Sequence, residues 1–176
     1  MATRPPNPTL VANRSDDGGI EVRVVADEPL PQLDLTVAGP VSRDLGRDFV
    51  TAIGNATYRG RLEAPTDGTY VLVLHNATDR AGNVAEGSQR RTVRIDTTPP
   101  AVDLTLDLAA TNGSRFAFEA NASDASDIGR FRWAFGDGTR ANGTAVAHAY
   151  GAPGNYTVRV DVTDAFGNTG TATTGL

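Results

Sequence analysis

A chain of 176 residues has room for one large domain or two small ones. It contains no cysteine, which excludes a disulfide framework, a thiol nucleophile and a thiolate metal site. Sixteen basic residues, all arginine, stand against 21 carboxylates for a net charge of −5. Basic residues come no closer together than pairs such as Arg90-Arg91, so nucleic acid is not an expected partner.

With 19 glycines, 10 prolines and one methionine, turn formers are frequent and helix formers scarce, so an all-β chain of many short strands is expected. No run approaches the roughly 18 apolar residues that a membrane span needs, and the proline-rich first residues do not resemble a secretion signal. Membrane insertion within this segment is therefore not expected. An acidic, lysine-free composition resembles that of halophilic archaea, where excess carboxylates keep proteins soluble in brine. A GC-rich genome gives the same bias.

In chain order, alternating apolar and polar residues predict strands at 20–25, 33–37, 58–63, 70–74 and 92–95 in a first module. Ile20, Val22 and Val24 alternate with Glu21 and Arg23, and Leu33, Leu35 and Val37 with Asp34 and Thr36, so each strand has one wet face. Residues 40–55 are irregular and polar, with no clear element.

The end of this module recurs later in the chain. Asp67-Gly68-Thr69-Tyr70-Val71-Leu72-Val73-Leu74 leads to Thr78-Asp79-Arg80-Ala81-Gly82-Asn83, and Pro153-Gly154-Asn155-Tyr156-Thr157-Val158-Arg159-Val160 leads to Thr163-Asp164-Ala165-Phe166-Gly167-Asn168. Each copy reads turn, tyrosine, strand, Thr-Asp-x-x-Gly-Asn turn, strand, which fits two modules of similar plan. The first copy has one more residue between tyrosine and aspartate, which a β-bulge would absorb. Residues of the turn tolerate positive φ and reverse the chain into a strand over 169–173. Each tyrosine sits where an immunoglobulin-like sandwich places a tyrosine corner, its hydroxyl tied to nearby backbone.

Between the copies lies Ile95-Asp96-Thr97-Thr98-Pro99-Pro100. Two prolines cannot donate to a ladder and hold the chain extended. The expected division is an immunoglobulin-like sandwich over 1–96, a proline-rich linker over 97–100 that limits bending, and a second sandwich over 101–176.

In the second module Phe131-Arg132-Trp133-Ala134-Phe135-Gly136-Asp137-Gly138 is followed by His148-Ala149-Tyr150 and by Gly154-Asn155-Tyr156-Thr157-Val158. This order of blocks resembles the PKD (polycystic-kidney-disease-type) family of immunoglobulin-like domains, from a Trp-x-Phe-Gly-Asp-Gly strand and turn through a His-x-Tyr strand to a Gly-x-Tyr-x-Val strand. The resemblance covers about residues 101–176 and departs from the family at Ala134, a common acidic position, and in the loop 123–127. By packing alone, Phe131, Trp133 and Phe135 project to one face and Phe116 and Phe118 supply the facing sheet. Trp133 is read as core and His148 as a structural residue of its strand. The first module resembles bacterial or archaeal immunoglobulin-like repeats over its last third.

Catalysis needs a positioned base and nucleophile, or a metal with protein ligands. The two histidines, His75 and His148, fall in different modules, and no serine sits in a Gly-x-Ser-x-Gly elbow. No enzyme is expected. Some PKD domains and immunoglobulin-like repeats bind calcium, so the resemblance implies Asp96, Asp124 and Asp127 as candidate oxygen ligands.

Asn-x-Ser/Thr triplets occur at Asn13, Asn55, Asn76, Asn112, Asn121, Asn142 and Asn155. With 27 serines and threonines, chance gives about 1.5 such triplets among ten asparagines. The excess points to N-glycosylation on an exported surface. The expected function is a non-catalytic structural or adhesive segment of an extracellular cell-surface glycoprotein of haloarchaeal type, meeting protein or polysaccharide at the cell surface. The other reading is a polymer- or carbohydrate-binding accessory region of a secreted hydrolase, which an exposed row of aromatic side chains would favour.

Overall fold

The computed structural model of the chain describes the backbone of residues 4–112 and 115–176, and the side chains of these residues other than 47 and 107–112. It is all-β apart from one 3₁₀ turn, and it divides into two compact units, Met1–Asp96 and Thr97–Leu176. The two are tandem immunoglobulin-like β-sandwiches.

The first unit holds β1 (Thr9–Arg14), β2 (Ile20–Val25), β3 (Gln32–Ala38), β4 (Arg43–Leu45), β5 (Thr51–Ala52), β6 (Thr57–Leu62), β7 (Gly68–Thr78) and β8 (Gln89–Ile95), with the 3₁₀ turn at Arg47–Phe49. One sheet runs β1-β2-β6-β5 and the other β4-β3-β7-β8. The alternation in β2 and β3 buries Ile20, Val22, Val24, Leu33, Leu35 and Val37 between the sheets, against Leu62, Tyr70, Leu72 and Leu74. Residues 40–55, without a sequence signal, form the short strands β4 and β5 and the 3₁₀ turn. Four anchors, Val41, Leu45, Phe49 and Val50, tie this stretch to the core, and strands so short leave too few residues for a period to register. Phe49 also explains Gly60, where a Cβ would lie 2.6 Å from its ring.

The two sheets of this unit are joined at β1 and β8 by one side chain. The Gln89 amide accepts from the Leu10 N–H at 2.8 Å and donates to the Pro8 carbonyl at 2.5 Å, so it stands in for the backbone of a neighbouring strand. The expected bulge is present. Asp34 pairs with Asn76 but Leu35 with Leu74, so His75 is the extra residue on β7.

The second unit holds β9 (Ala101–Asn112), β10 (Arg115–Ser123), β11 (Ile128–Ala134), β12 (Arg140–Asn142), β13 (Ala145–Ala149), β14 (Thr157–Asp164) and β15 (Thr169–Gly175). Its sheets run β13-β10-β9 and β12-β11-β14-β15. Val158, Val160 and Val162 of β14 and Trp133 of β11 are fully buried. The expected aromatic interior is there: Phe118 lies 5.9 Å from Trp133 and 5.8 Å from Phe135 between ring centroids, while Phe116 and Phe131 are half-buried. Each polar handle in this core has a partner, since Trp133 Nε1 donates to the Gly143 carbonyl at 2.8 Å and the Tyr150 hydroxyl to the Phe135 carbonyl at 2.8 Å.

Candidate functional site

The duplicated ending folds into the same device twice. The hydroxyl of Tyr70 donates to the Thr66 carbonyl at 2.8 Å and that of Tyr156 to the Ala152 carbonyl at 2.9 Å, each reaching back four residues to pin the turn before its strand. At the far end of each strand a carboxylate organises the Thr-Asp-x-x-Gly-Asn turn. Asp79 Oδ1 accepts from the N–H groups of Ala81 and Asn83, and its Oδ2 from the Asn83 amide. Asp164 repeats this with Phe166 and Asn168. The positive φ of the turn belongs to Gly82 and Gly167 alone, so the aspartate serves as acceptor and the asparagine as donor, and neither takes up the strained backbone expected of the motif.

These bonds set the charge state of both groups. The Asn83 side chain, with the backbone N–H groups of Ala81, Gly82 and Asn83, holds the Asp79 carboxyl below the ordinary range against opposing burial. For Asp164 burial is the largest influence and pushes upward, yet Asn168, the Phe166 N–H and Ser126 together outweigh it.

Of the candidate calcium ligands, Asp96 is buried directly after β8 and Asp124 is half-buried, while Asp127 is exposed and gives its carbonyl to the Ala165 N–H. Within residues 97–176 the carboxylate that shares a partner with Asp124 is Asp164, because the Ser126 hydroxyl lies 2.9 Å from Asp124 Oδ1 and 3.2 Å from Asp164 Oδ2. Asp164 already accepts four donors, which is about the capacity of a carboxylate. The turn by itself therefore fits poorly to a cation that asks for six to eight oxygens.

His148 lies between the turn after β11 and the aromatic core. Its ring stacks on Phe135 at 4.2 Å and meets Tyr150 edge-on at 4.6 Å, and Nε2 is 2.7 Å from Asp137 Oδ2. Tyr150 in turn stacks on Tyr156 at 3.9 Å, and burial raises the Tyr150 phenol above its ordinary value. Beside them a cavity of about 430 Å³ is lined by Phe116, Tyr150, Pro153, Tyr156 and Leu176 among others. His75, on the β7 bulge, meets Thr36 Oγ1 at 2.9 Å. The Thr139 hydroxyl lies 3.3 Å from His148 Nε2 but donates to Asp137 Oδ1, and Asp137 Oδ2 takes the same Nε2, so the imidazole nitrogen that faces the hydroxyl is already used by the carboxylate.

Six of the seven triplet asparagines, Asn13, Asn55, Asn76, Asn121, Asn142 and Asn155, are exposed, and the Asn112 side chain lies outside the described residues. Asn83 and Asn168, which are not followed by the triplet, are the asparagines whose amides are consumed by Asp79 and Asp164. The arginines also sort by position. The expectation that basic residues form nothing larger than sequence pairs is corrected, because pairing among β11, β12 and β14 brings Arg130, Arg132, Arg140 and Arg159 to one sheet face. These residues are up to 29 positions apart in sequence, and only the strand register reveals their meeting.

The blocks around Trp133, His148 and Tyr156 thus form the interior and corner of one sandwich. Residues 97–176 match the model of the PKD domain family. Among solved structures, the PKD1 domain of the Vibrio cholerae metalloprotease PrtV is 25% identical, with 45% of this chain and 95% of that chain covered at a TM-score of 0.41. The fibronectin(III)-like modules of Clostridium thermocellum CbhA are 16% identical over 96% of this chain and 92% of theirs, at 0.44. A 1.5-MDa bacterial ice-binding adhesin shares the fold at 13% identity, over 98% of this chain and 64% of that chain, at 0.50. No curated protein matches the chain. Among the described residues no helix is long and apolar enough to cross a membrane.

Proposed function

We propose that this chain is a non-catalytic structural and adhesive segment of an extracellular, N-glycosylated cell-surface protein of a haloarchaeal cell. The observation that carries the reading is the division of its asparagines. Six exposed side chains sit in acceptor triplets, on strands β1, β7, β10 and β12 and on loops, whereas the asparagines used to hold turns lack the triplet. An asparagine needed internally cannot carry a glycan, and one that carries a glycan must face solvent. The PKD match over residues 97–176 supports an extracellular address, and the lysine-free, acidic composition supports a saline one.

The absence of an exposed aromatic row favours this reading over a polymer-binding accessory region. Among the described residues the large exposed apolar side chains are Ile53 and Val84, both aliphatic, and flat stacking on a sugar needs exposed rings. The test is glycopeptide mass spectrometry of the chain produced in an N-glycosylating haloarchaeal host and recovered from the cell envelope. Occupancy at several of Asn13, Asn55, Asn76, Asn121 and Asn155 is expected, with Asn142, which pairs with Arg132 on an arginine-bearing sheet face, left bare. Unmodified asparagines on protein retained in the cytoplasm overturn the reading.

A further inference from the structure

The PKD-matching unit has five arginines, and four of them share one surface. On the sheet β12-β11-β14-β15, the inward set includes Trp133, Val158, Val160 and Val162, so Arg130, Arg132, Arg140 and Arg159 stand on the outward face. The register makes them neighbours. Arg140 and Arg159 both pair with Ala134, and Arg132 faces Asp161. Arg140 and Arg159 are therefore two strands apart, roughly 10 Å, with the small Ala134 side chain between them. Arg130 follows Arg132 along β11 at roughly 7 Å.

Asp161 is the one carboxylate on this face among the described residues, and it is committed. It accepts from Arg159 Nε at 2.7 Å and from the Thr171 hydroxyl at 2.7 Å. Against opposing burial, Arg132 also faces Asp161 and helps to hold its carboxyl low, so one carboxylate serves two arginines, and Arg130, Arg132 and Arg140 are all exposed. Hence an acidic protein carries a flat face with a charge of about +3, an arrangement that costs self-repulsion and has no internal use.

We propose that the outward face of β12-β11-β14-β15 binds an extended anionic polysaccharide, one bearing carboxylate or sulfate groups, through Arg130, Arg132, Arg140 and Arg159. This deepens the adhesive reading above and rests on it. Arginine presents a planar fork that pairs bidentately with carboxylate and sulfate, so contact survives where longer-range attraction is screened. Screening lengths of about 10 Å at 0.1 M salt and about 3 Å at 1 M leave that direct pairing as the interaction that counts in brine. Nucleic acid fits less well, because the face has no aromatic side chain on which a base can stack and no element that enters a groove. A membrane surface fits less well too, since Ala134 is the largest apolar side chain that the face offers for insertion.

The test uses the whole chain made in a host without N-glycosylation, so its outcome is independent of glycan occupancy. Binding to polygalacturonate and to dextran sulfate is measured by titration calorimetry at 0.1 M and 1 M salt, with neutral dextran and a DNA duplex alongside. Tight binding to either charged polysaccharide, none to dextran, and a loss of about tenfold or more in Arg132→Glu/Arg140→Glu are expected, with a smaller loss in Arg132→Gln/Arg140→Gln. Arg115→Glu, on β10 of the other sheet, changes affinity less than about twofold. Unchanged Trp133 fluorescence shows that each variant is folded. Equal losses for Arg115→Glu and the paired variant, no binding to either polyanion, tighter binding to DNA, or self-association removed by the paired variant each overturn the proposal.

Discussion

Asp137 Oδ2 lies 2.7 Å from Nε2 of His148, and this pair ties the Gly-Asp-Gly turn after β11 to β13 of the facing sheet. An ionised carboxylate only accepts, so Nε2 is the protonated nitrogen. The same carboxylate takes the Thr139 hydroxyl at 2.6 Å and the Thr139 N–H at 2.9 Å on Oδ1. The Thr139 hydroxyl, then its N–H, then His148 lower the Asp137 carboxyl from 3.8 to about 2 against opposing burial.

Because the folded value lies below the unfolded one, the contribution of Asp137 is complete above about pH 4 and fades as pH falls towards 2. Asp137→Asn removes it. Urea unfolding followed through Trp133, the one tryptophan of the chain and fully buried in this unit, should show the variant less stable at pH 7. The gap to the parent should narrow between about pH 4 and pH 2. A gap constant across that window would mean that the carboxylate's charge is not what holds the turn.

The two corner tyrosines allow a comparison inside one molecule. Tyr70 is fully buried and Tyr156 is half-buried beside the cavity, yet both hydroxyls make the same bond. Tyr70→Phe should destabilise the first unit by about 1 kcal/mol, the net value of a typical internal hydrogen bond plus the unpaired Thr66 carbonyl. Tyr156→Phe should cost less, about 0.5 kcal/mol, because water reaches the carbonyl it releases. Thermal unfolding of the two variants ranks them, and the reverse order would contradict the burial argument.

What the sequence made legible follows from how local each signal is. Alternation in β2, β3 and β14 was readable because one wet face and one dry face leave a period of two. The repeated tyrosine and Asp-x-x-Gly-Asn turn could be read because both devices close within five residues. Strand β1 was not recognised, since its outer Val11 and inner Ala12 are both half-buried, which blurs the alternation. The arginine face, the Gln89 bridge and the Ser126 link from Asp124 to Asp164 join residues up to 81 positions apart, and no window along the chain contains them.

Asp79 and Asp164 should behave as equivalent parts. Replacing either by alanine leaves two backbone N–H groups and an asparagine amide without their acceptor. Asp79→Ala should lower the stability of the first unit and Asp164→Ala that of the second, where Trp133 reports it directly. Both folded carboxyl values are lowered, so each loss should be largest at neutral pH and shrink on acidification below the ordinary carboxylate range. Hydrogen exchange at Asn83 and Asn168 N–H is the sharper measurement. Protection that persists in the alanine variants would sink the assignment.

Gly170 of β15 is held to its identity by space. A Cβ there would collide with the Pro100 carbonyl, whereas at Gly175 of the same strand it would meet nothing within 4 Å. Backbone cannot swing aside as a flexible side chain can, so Gly170→Ala should cost about 1–3 kcal/mol, within the range of overpacking. Gly175→Ala should be neutral to within about 0.5 kcal/mol. Equal urea midpoints for the two variants would show that the start of β9 yields more readily than its packing on β15 implies.

Gln89 offers the most demanding chemical test of the first unit, because its amide both accepts and donates across β1 and β8. Gln89→Glu keeps the shape and the acceptor for the Leu10 N–H but turns a donor into a second acceptor facing the Pro8 carbonyl. Two oxygens at hydrogen-bond distance repel, so the variant should lose about 1–3 kcal/mol at neutral pH. Lowering the pH protonates the carboxyl, whose folded value the Pro8 carbonyl raises above the ordinary range, and restores an O–H donor, so part of the loss should return as pH falls towards about 4. A pH-independent loss equal to that of Gln89→Ala would mean that the side chain fills space at this seam and does not bond across it.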